Sequence, residues 1–307
     1  MSPTPRPVAQ TATPTGWGRR LTLAVGWAAL IVALGWSYYS AMALLVGRWC
    51  REPDYSYGFF VPPFALYLLW VRRRTEKPLF GRGSLWGLLL LGLAAALRWA
   101  SAYFYYGLMD PFSLIPCLAG VVLLVGGWSA LRWAWPSIAF LVFMIPLPGF
   151  LADTLGRPLQ RVGTIASTYL VQTLGIPAVA QGNVILLTNA TVGVAEACSG
   201  LRMFMLFSAV SVGTAFLMQR SLIEKTIIVL SAPVIAVAVN VARITVTSIL
   251  HEAASHELAE AVFHDWAGWL MMPLAILLLW VEIAVLARLV IDASAKGPVP
   301  LEVTSPG

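Results

Sequence analysis

Long apolar runs, each near the length that crosses a bilayer, dominate this chain and leave few folds open to it. A helical span needs roughly 20 mainly apolar residues. Eight stretches qualify as candidates, at about 21–42, 57–71, 84–105, 112–131, 133–149, 199–218, 226–250 and 266–288. The second and fifth are the shortest and carry Pro62, Pro63, Pro136 and Pro146. Of the 307 residues, 59% are hydrophobic and 11% charged, where a soluble domain is about one-quarter charged. The expected fold is an all-α polytopic membrane protein with about eight transmembrane helices.

With a cytoplasmic N-terminus, eight spans fix every loop. The cytoplasmic side then holds thirteen cations: Arg6, Arg19, Arg20, Arg72, Arg73, Arg74, Lys77, Arg82, Arg132, Arg220, Lys225, Arg288 and Lys296. The outer side holds four, Arg48, Arg51, Arg157 and Arg161. This is the positive-inside bias, so the net charge of +6 mostly reports topology. No basic stripe is interleaved with aromatics, which argues against nucleic acid as a partner. Ala41-Met42-Ala43 resembles a signal-peptide cleavage site. The apolar run before it is longer than the roughly 7–15 residues of a signal h-region, which favours an uncleaved span.

Residues 1–18 and 292–307 are expected to be disordered cytoplasmic ends around a membrane domain of 19–291. One outer segment, 150–198, breaks the helix-loop rhythm. Its first part places apolar residues at helical spacing among Asp153, Arg157 and Arg161, the pattern of an amphipathic helix at the interface. Turn signals at Gln181-Gly182-Asn183 and Thr188-Asn189-Ala190 then suggest a short hairpin. A hairpin with open edges cannot sit in lipid, so it belongs on the outer surface, where it delivers the chain to Cys198.

Charges inside spans are costly and point to function or to snorkelling. Arg98, Arg202 and Arg243 qualify. Arg98 lies in the outer third of its span, within reach of the interface. Arg202 follows Cys198 by four residues and shares its helix face. It either lowers the thiol pKa or pairs with Glu196. Arg243 lies about two turns below the outer end of the seventh run, and Asn240 shares its face. Ser199 and Gly200 allow close backbone approach at the helix start. Glu196 is either an acid/base or simply an acid favoured before a helix N-terminus.

Cys117 falls inside the fourth run and reads as a small buried hydrophobe. Cys50 and Cys198 both fall on the outer side, where a disulfide is one alternative. Of the histidines, His251 and His256 resemble the zinc pattern H-E-x-x-H but miss its spacing and read as polar loop residues. No metal or other cofactor is indicated. His264 opens the eighth span, with Asp265 either orienting its imidazole or capping the helix. Cys198, Arg243 and His264 thus all fall on the outer side, on an orientation set without them. A neighbouring cation and a helix N-terminus both lower a thiol's pKa, and an arginine can hold an oxyanion. The constellation suggests cysteine acyl transfer.

"EACSGLR" (196–202), "NVAR" (240–243) and "HDWAG" (264–268), in this order on an eight-span frame, resemble the exosortase/archaeosortase family. "DYSYGFFVPP" (54–63) and "LGIPAVAQGNVI" (174–185) are similar to it too. The family often has a histidine where this chain has Tyr57. The resemblance implies an inner-membrane cysteine peptidase or transpeptidase with its active site on the extracytoplasmic side. Its substrates would be exported proteins ending in a Pro-Glu-Pro-type motif, a transmembrane helix and a basic cluster. Cys198 would be nucleophile, Arg243 electrostatic partner and His264 acid/base, in a setting associated with exopolysaccharide. Two other readings compete: an anion transporter lined by Arg98, Arg202 and Arg243, and a scaffold with a Cys50–Cys198 disulfide.

Overall fold

The protein is seen in a computed structural model that describes residues 16–75, 81–194, 200–218, 220–253, 277–278 and 280–285. It is a helical bundle with one small sheet. The first apolar run forms two helices, α1 (Gly16–Ser37) and α2 (Tyr39–Arg51), bent by 57° between them. The pair starts before residue 21 and ends well after residue 42. Tyr38, at the bend, is buried against Ala41, Ala94 and Cys117, and its hydroxyl lies 3.0 Å from Ser113 Oγ.

A 3₁₀ turn (Pro53–Phe60) leads into α3 (Val61–Thr75), followed by α4 (Trp86–Tyr103) and α5 (Met109–Phe140). The backbone of α5 breaks at Gly127, with φ 69° and ψ −172°, a left-handed φ open to glycine. An added Cβ there would also overlap the Arg82 carbonyl oxygen. Up to Met144 this stretch has 36 residues, which as a straight rod would be ~54 Å long. Yet Leu108, at its start, and Met144, at its end, share one hydrophobic cluster with Leu45 and Trp49 of α2. The Trp49 indole donates to the Met144 carbonyl at 3.0 Å. So α5 folds back on itself at Gly127 as two arms. These arms correspond to the fourth and fifth apolar runs, with the turn five residues before Arg132, where the runs suggested it.

The first arm packs antiparallel on α4, and the backbones of Gly87 and Gly120 meet without a side chain between them. Small residues let helices approach this closely in lipid. After α6 (Gly149–Thr173) comes a three-stranded antiparallel sheet, β1 (Ala178–Gln181), β2 (Val184–Leu187) and β3 (Thr191–Gly193). Then follow α7 (Gly200–Leu217) and α8 (Leu222–Ala253). By length and composition, three described helical stretches can cross a membrane: α4, α5 with its extension, and α8. The number is four if the bent α1–α2 pair counts as one crossing. The eighth apolar run, 266–288, lies largely outside the described residues.

Candidate active site

The site is built on α8. Asn240, Arg243, Thr247 and Ser248 follow at i, i+3, i+7 and i+8, so they line one helical face. All four are buried, Arg243 to 8% exposure, Asn240 to 3% and Ser248 to 0%. Among the described residues, Asn240 Oδ1 and Ser248 Oγ have no hydrogen-bond partner. Uncompensated buried polar atoms are rare and costly, so this is a polar seam rather than a plain core.

Three neighbours enclose that seam. On α6, a Cβ added to Gly163 would lie 3.5 Å from Asn240 Nδ2 and 3.1 Å from Ile244. Ser167 Oγ donates to the Val241 carbonyl at 3.1 Å. The sheet packs on the same stretch, with Ile185, Val192 and Val194 clustering with Val171 of α6 and Ile244 of α8. It is fastened at both ends. Asn183 Nδ2 donates to Gln160 of α6 at 2.9 Å. Asn189 donates from its backbone and its side chain to the two carboxylate oxygens of Glu252, at 3.1 and 3.0 Å. The third neighbour is α7, which runs antiparallel to α8 with Met203 and Phe207 against Ala232, Ala236 and Val239. That register brings Gly200, the first residue of α7, level with the Asn240–Arg243 turn.

The depth of Arg243 follows from lengths. At its N-terminus α8 is capped by Ser221, whose hydroxyl accepts from the Glu224 amide at 3.3 Å and donates to its carboxylate at 3.0 Å. Arg220 pairs with Glu224 at 3.7 Å. A charged end of this kind favours the edge of the hydrocarbon. The helix has 32 residues, ~48 Å, against ~30 Å of hydrocarbon. A crossing that starts at Leu222 therefore runs out of lipid after about 20 residues, close to Arg243. The last three turns project beyond it, beside the sheet. On that count Arg243 falls near the far end of the crossing. His251, expected in a loop, stands in the last turn of α8, where a basic group favours the helix dipole.

Arg98 belongs to a different unit. Its Nη1 donates to Ser37 Oγ at 2.6 Å, its Nε lies 3.0 Å from Asp110 Oδ1, and its guanidinium lies 4.6 Å over the Tyr38 ring. It ties the α1–α2 bend to α4 and α5. Among the described residues Cys50 is a free, exposed thiol; Cys198, its partner in the disulfide alternative, lies outside them. Gly200 and Arg202 lie in the first turn of α7. Glu196, Cys198, Ser199, His256, His264 and Asp265 lie outside the described residues.

The family model described as transmembrane exosortase (Exosortase_EpsH) matches residues 49–281. The chain belongs to the exosortase family. No curated relative and no solved structure matches it. The exosortase match takes in the α6–sheet–α7–α8 assembly entirely, together with α3, α4, α5 and the last three residues of α2. The family and the apolar helices make this a multi-pass membrane protein.

Reading the exosortase sequence for charges in spans caught the arginines and missed Glu282. Its Oε2 is buried without a hydrogen-bond partner among the described residues. The rule that flagged Arg243 would have found it inside the eighth apolar run. The Asn189–Glu252 clamp carried no such signal, because its partners are 63 residues apart.

Proposed function

We propose that this exosortase cleaves the C-terminal sorting signal of exported proteins through a Cys198 thioester, on the extracytoplasmic face of the bacterial inner membrane. The frame has eight crossings, with α3, each arm of α5, and α7 among them. The Cys198 thiolate attacks the carbonyl at the motif, the Arg243 guanidinium stabilises the oxyanion, and His264 protonates the departing amine. Water or another acceptor then resolves the thioester. Glu196, Ser199, Gly200, Arg202, Asn240 and Asp265 act as supporting residues.

The observation that carries this reading is the placement of Arg243. It is a buried permanent cation, near the far end of a crossing counted from Leu222, level with the first residue of α7 and adjacent to Ile244, which packs on Val194. Val194 and Gly200 bracket the five-residue stretch that holds Cys198, and the Arg243 turn lies beside both. An oxyanion formed there would meet a desolvated donor, where such contacts are strong. A substrate held in the bilayer by its own helix would present its motif at this depth, which supplies much of the orientation the reaction needs.

The test uses membranes containing the full chain and a reporter protein ending in a Pro-Glu-Pro-type motif, a hydrophobic helix and a basic cluster. Wild type shortens the reporter and Cys198→Ala does not. Normal shortening by Cys198→Ala rejects the thioester, and transport of an anion by the same variant would favour the transporter reading.

A further inference from the structure

An apolar groove of about 570 Å³ runs between α3 and α7, with none of the polar-seam residues of α8 in its lining. Phe60, Phe64 and Tyr67 form one wall and Leu206, Val210 and Leu217 the other. Thr214, also in the lining, spends its hydroxyl on the Val210 carbonyl at 2.8 Å. The groove opens outward, since Phe60 and Tyr67 are exposed. Beside the groove, α7 places Gly213 opposite Phe64. An added Cβ there would come within 2.6 Å of the Phe64 ring.

Two features identify the occupant. The first is depth. The α7 wall runs from Leu206 to Leu217, a rise of ~16 Å. That is one leaflet of a hydrocarbon layer ~30 Å thick. A transmembrane helix needs the full thickness, whereas one acyl chain needs half. The second is charge. The stripe of Phe60, at the end of the 3₁₀ turn, with Phe64 and Tyr67 of α3 continues through Trp70 and Val71 to Arg72, Arg73 and Arg74 in the last turn of α3. Arg74 stacks over Trp70 at 3.9 Å. The α7 stripe ends just before Arg220, whose charge is shared with Glu224. A peptide helix followed by basic residues would be repelled at this end. An anionic headgroup would be drawn to it.

We propose that the α3–α7 groove is a binding site for an anionic phospholipid, with one acyl chain in the slot and the phosphate at Arg73 and Arg74. Each arginine near a membrane surface adds about 1 kcal/mol to anionic-lipid attraction, about fivefold in affinity. The lipid would brace α7 against α3.

The full-length protein, stripped of lipid in a neutral detergent, is titrated with dioleoylphosphatidylglycerol, dioleoylphosphatidylcholine or inorganic phosphate. Thermal midpoint and lipid retained in native mass spectrometry are read. Phosphatidylglycerol should raise the midpoint and be retained, phosphatidylcholine far less, and phosphate alone should do nothing. Arg73→Gln and Arg74→Gln should each lower the preference for phosphatidylglycerol about fivefold with the lipid-free midpoint unchanged. Val210→Trp, which fills the slot, should abolish retention of both lipids. Equal retention of the two lipids, an unchanged preference in both arginine variants, or a full response to phosphate alone overturns the proposal. So does a photocrosslinker at position 210 that captures polypeptide and no lipid.

Discussion

Arg243→Leu separates catalysis from stability in a way the geometry makes quantitative. A cation at mid-bilayer costs about 2.5–3.5 kcal/mol on an insertion scale. At the boundary position derived from the 32-residue α8 the cost is smaller, so its removal relieves little. Leucine retains much of the buried stem's packing, and the guanidinium's contacts are lost. The net change in stability should stay within about 1 kcal/mol, a midpoint shift of about 2–4 °C for a chain of this size. Activity should respond far more. Loss of one oxyanion donor in a desolvated site costs roughly 10²–10³-fold in rate. The assay pairs reporter processing in proteoliposomes with thermal unfolding of the same preparations. Arg243→Lys should fall between, since it keeps the charge and loses the planar fork. Processing by Arg243→Leu within a few-fold of wild type would refute the oxyanion role. Lost activity together with a midpoint drop of 10 °C or more (on the order of 3 kcal/mol) would recast Arg243 as a structural residue.

Two further outcomes follow from named contacts. Glu252→Gln leaves the Asn189 amide hydrogen bonds without a charged acceptor, so it should lower stability by about 1 kcal/mol and speed hydrogen exchange across β2 and β3. Unchanged exchange there would mean the clamp does not hold the sheet. Gly127→Ala forces a side chain into a left-handed turn against the Arg82 carbonyl and should cost about 2 kcal/mol or more, read as a lower thermal midpoint. Gly92→Ala, with nothing within 4 Å of an added Cβ, is the matched control and should be neutral or slightly stabilising.

How much could be read from the sequence depended on whether the signal was local. The sixth apolar run, 199–218, coincides with α7 because an uninterrupted apolar stretch is its own evidence. The seventh run ended at 250 while α8 continues to Ala253. Apolarity marks lipid contact, and a helix covered by a sheet has no need of it. The bend at Tyr38 has Gly35 and Ser37 just before it, a weak local sign, and the contacts that hold it are tertiary: Arg98, Asp110 and Ser113 arrive from α4 and α5. The turn inside α5 did have a local sign, the Gly126-Gly127 pair, but Arg132 was the stronger topological cue. In the site, the i, i+3 spacing of Asn240 and Arg243 was enough to place both on one face. Their burial against Gly163 and Ser167 of α6 was not legible, because α6 read as an interfacial helix with no stated partner.

The sheet fixes where this site can work. Among the described residues the outer edges of β1 and β3 are not paired to a further strand, and unpaired edges are excluded from hydrocarbon. The sheet must therefore lie in water or among headgroups. It packs on Ile244 and is bonded to Glu252, so the α8 segment between them shares that environment. Arg243 adjoins Ile244 on the lipid side. It is buried, and on a crossing counted from Leu222 it is too shallow to carry the full cost of an intramembrane cation. Under the proposed reaction both halves of that position are needed. The oxyanion benefits from the dry side, and the leaving amine and the acceptor require the wet one. A guanidinium two turns deeper would be stronger electrostatically and unreachable by the acceptor. One two turns further out would be reachable and screened.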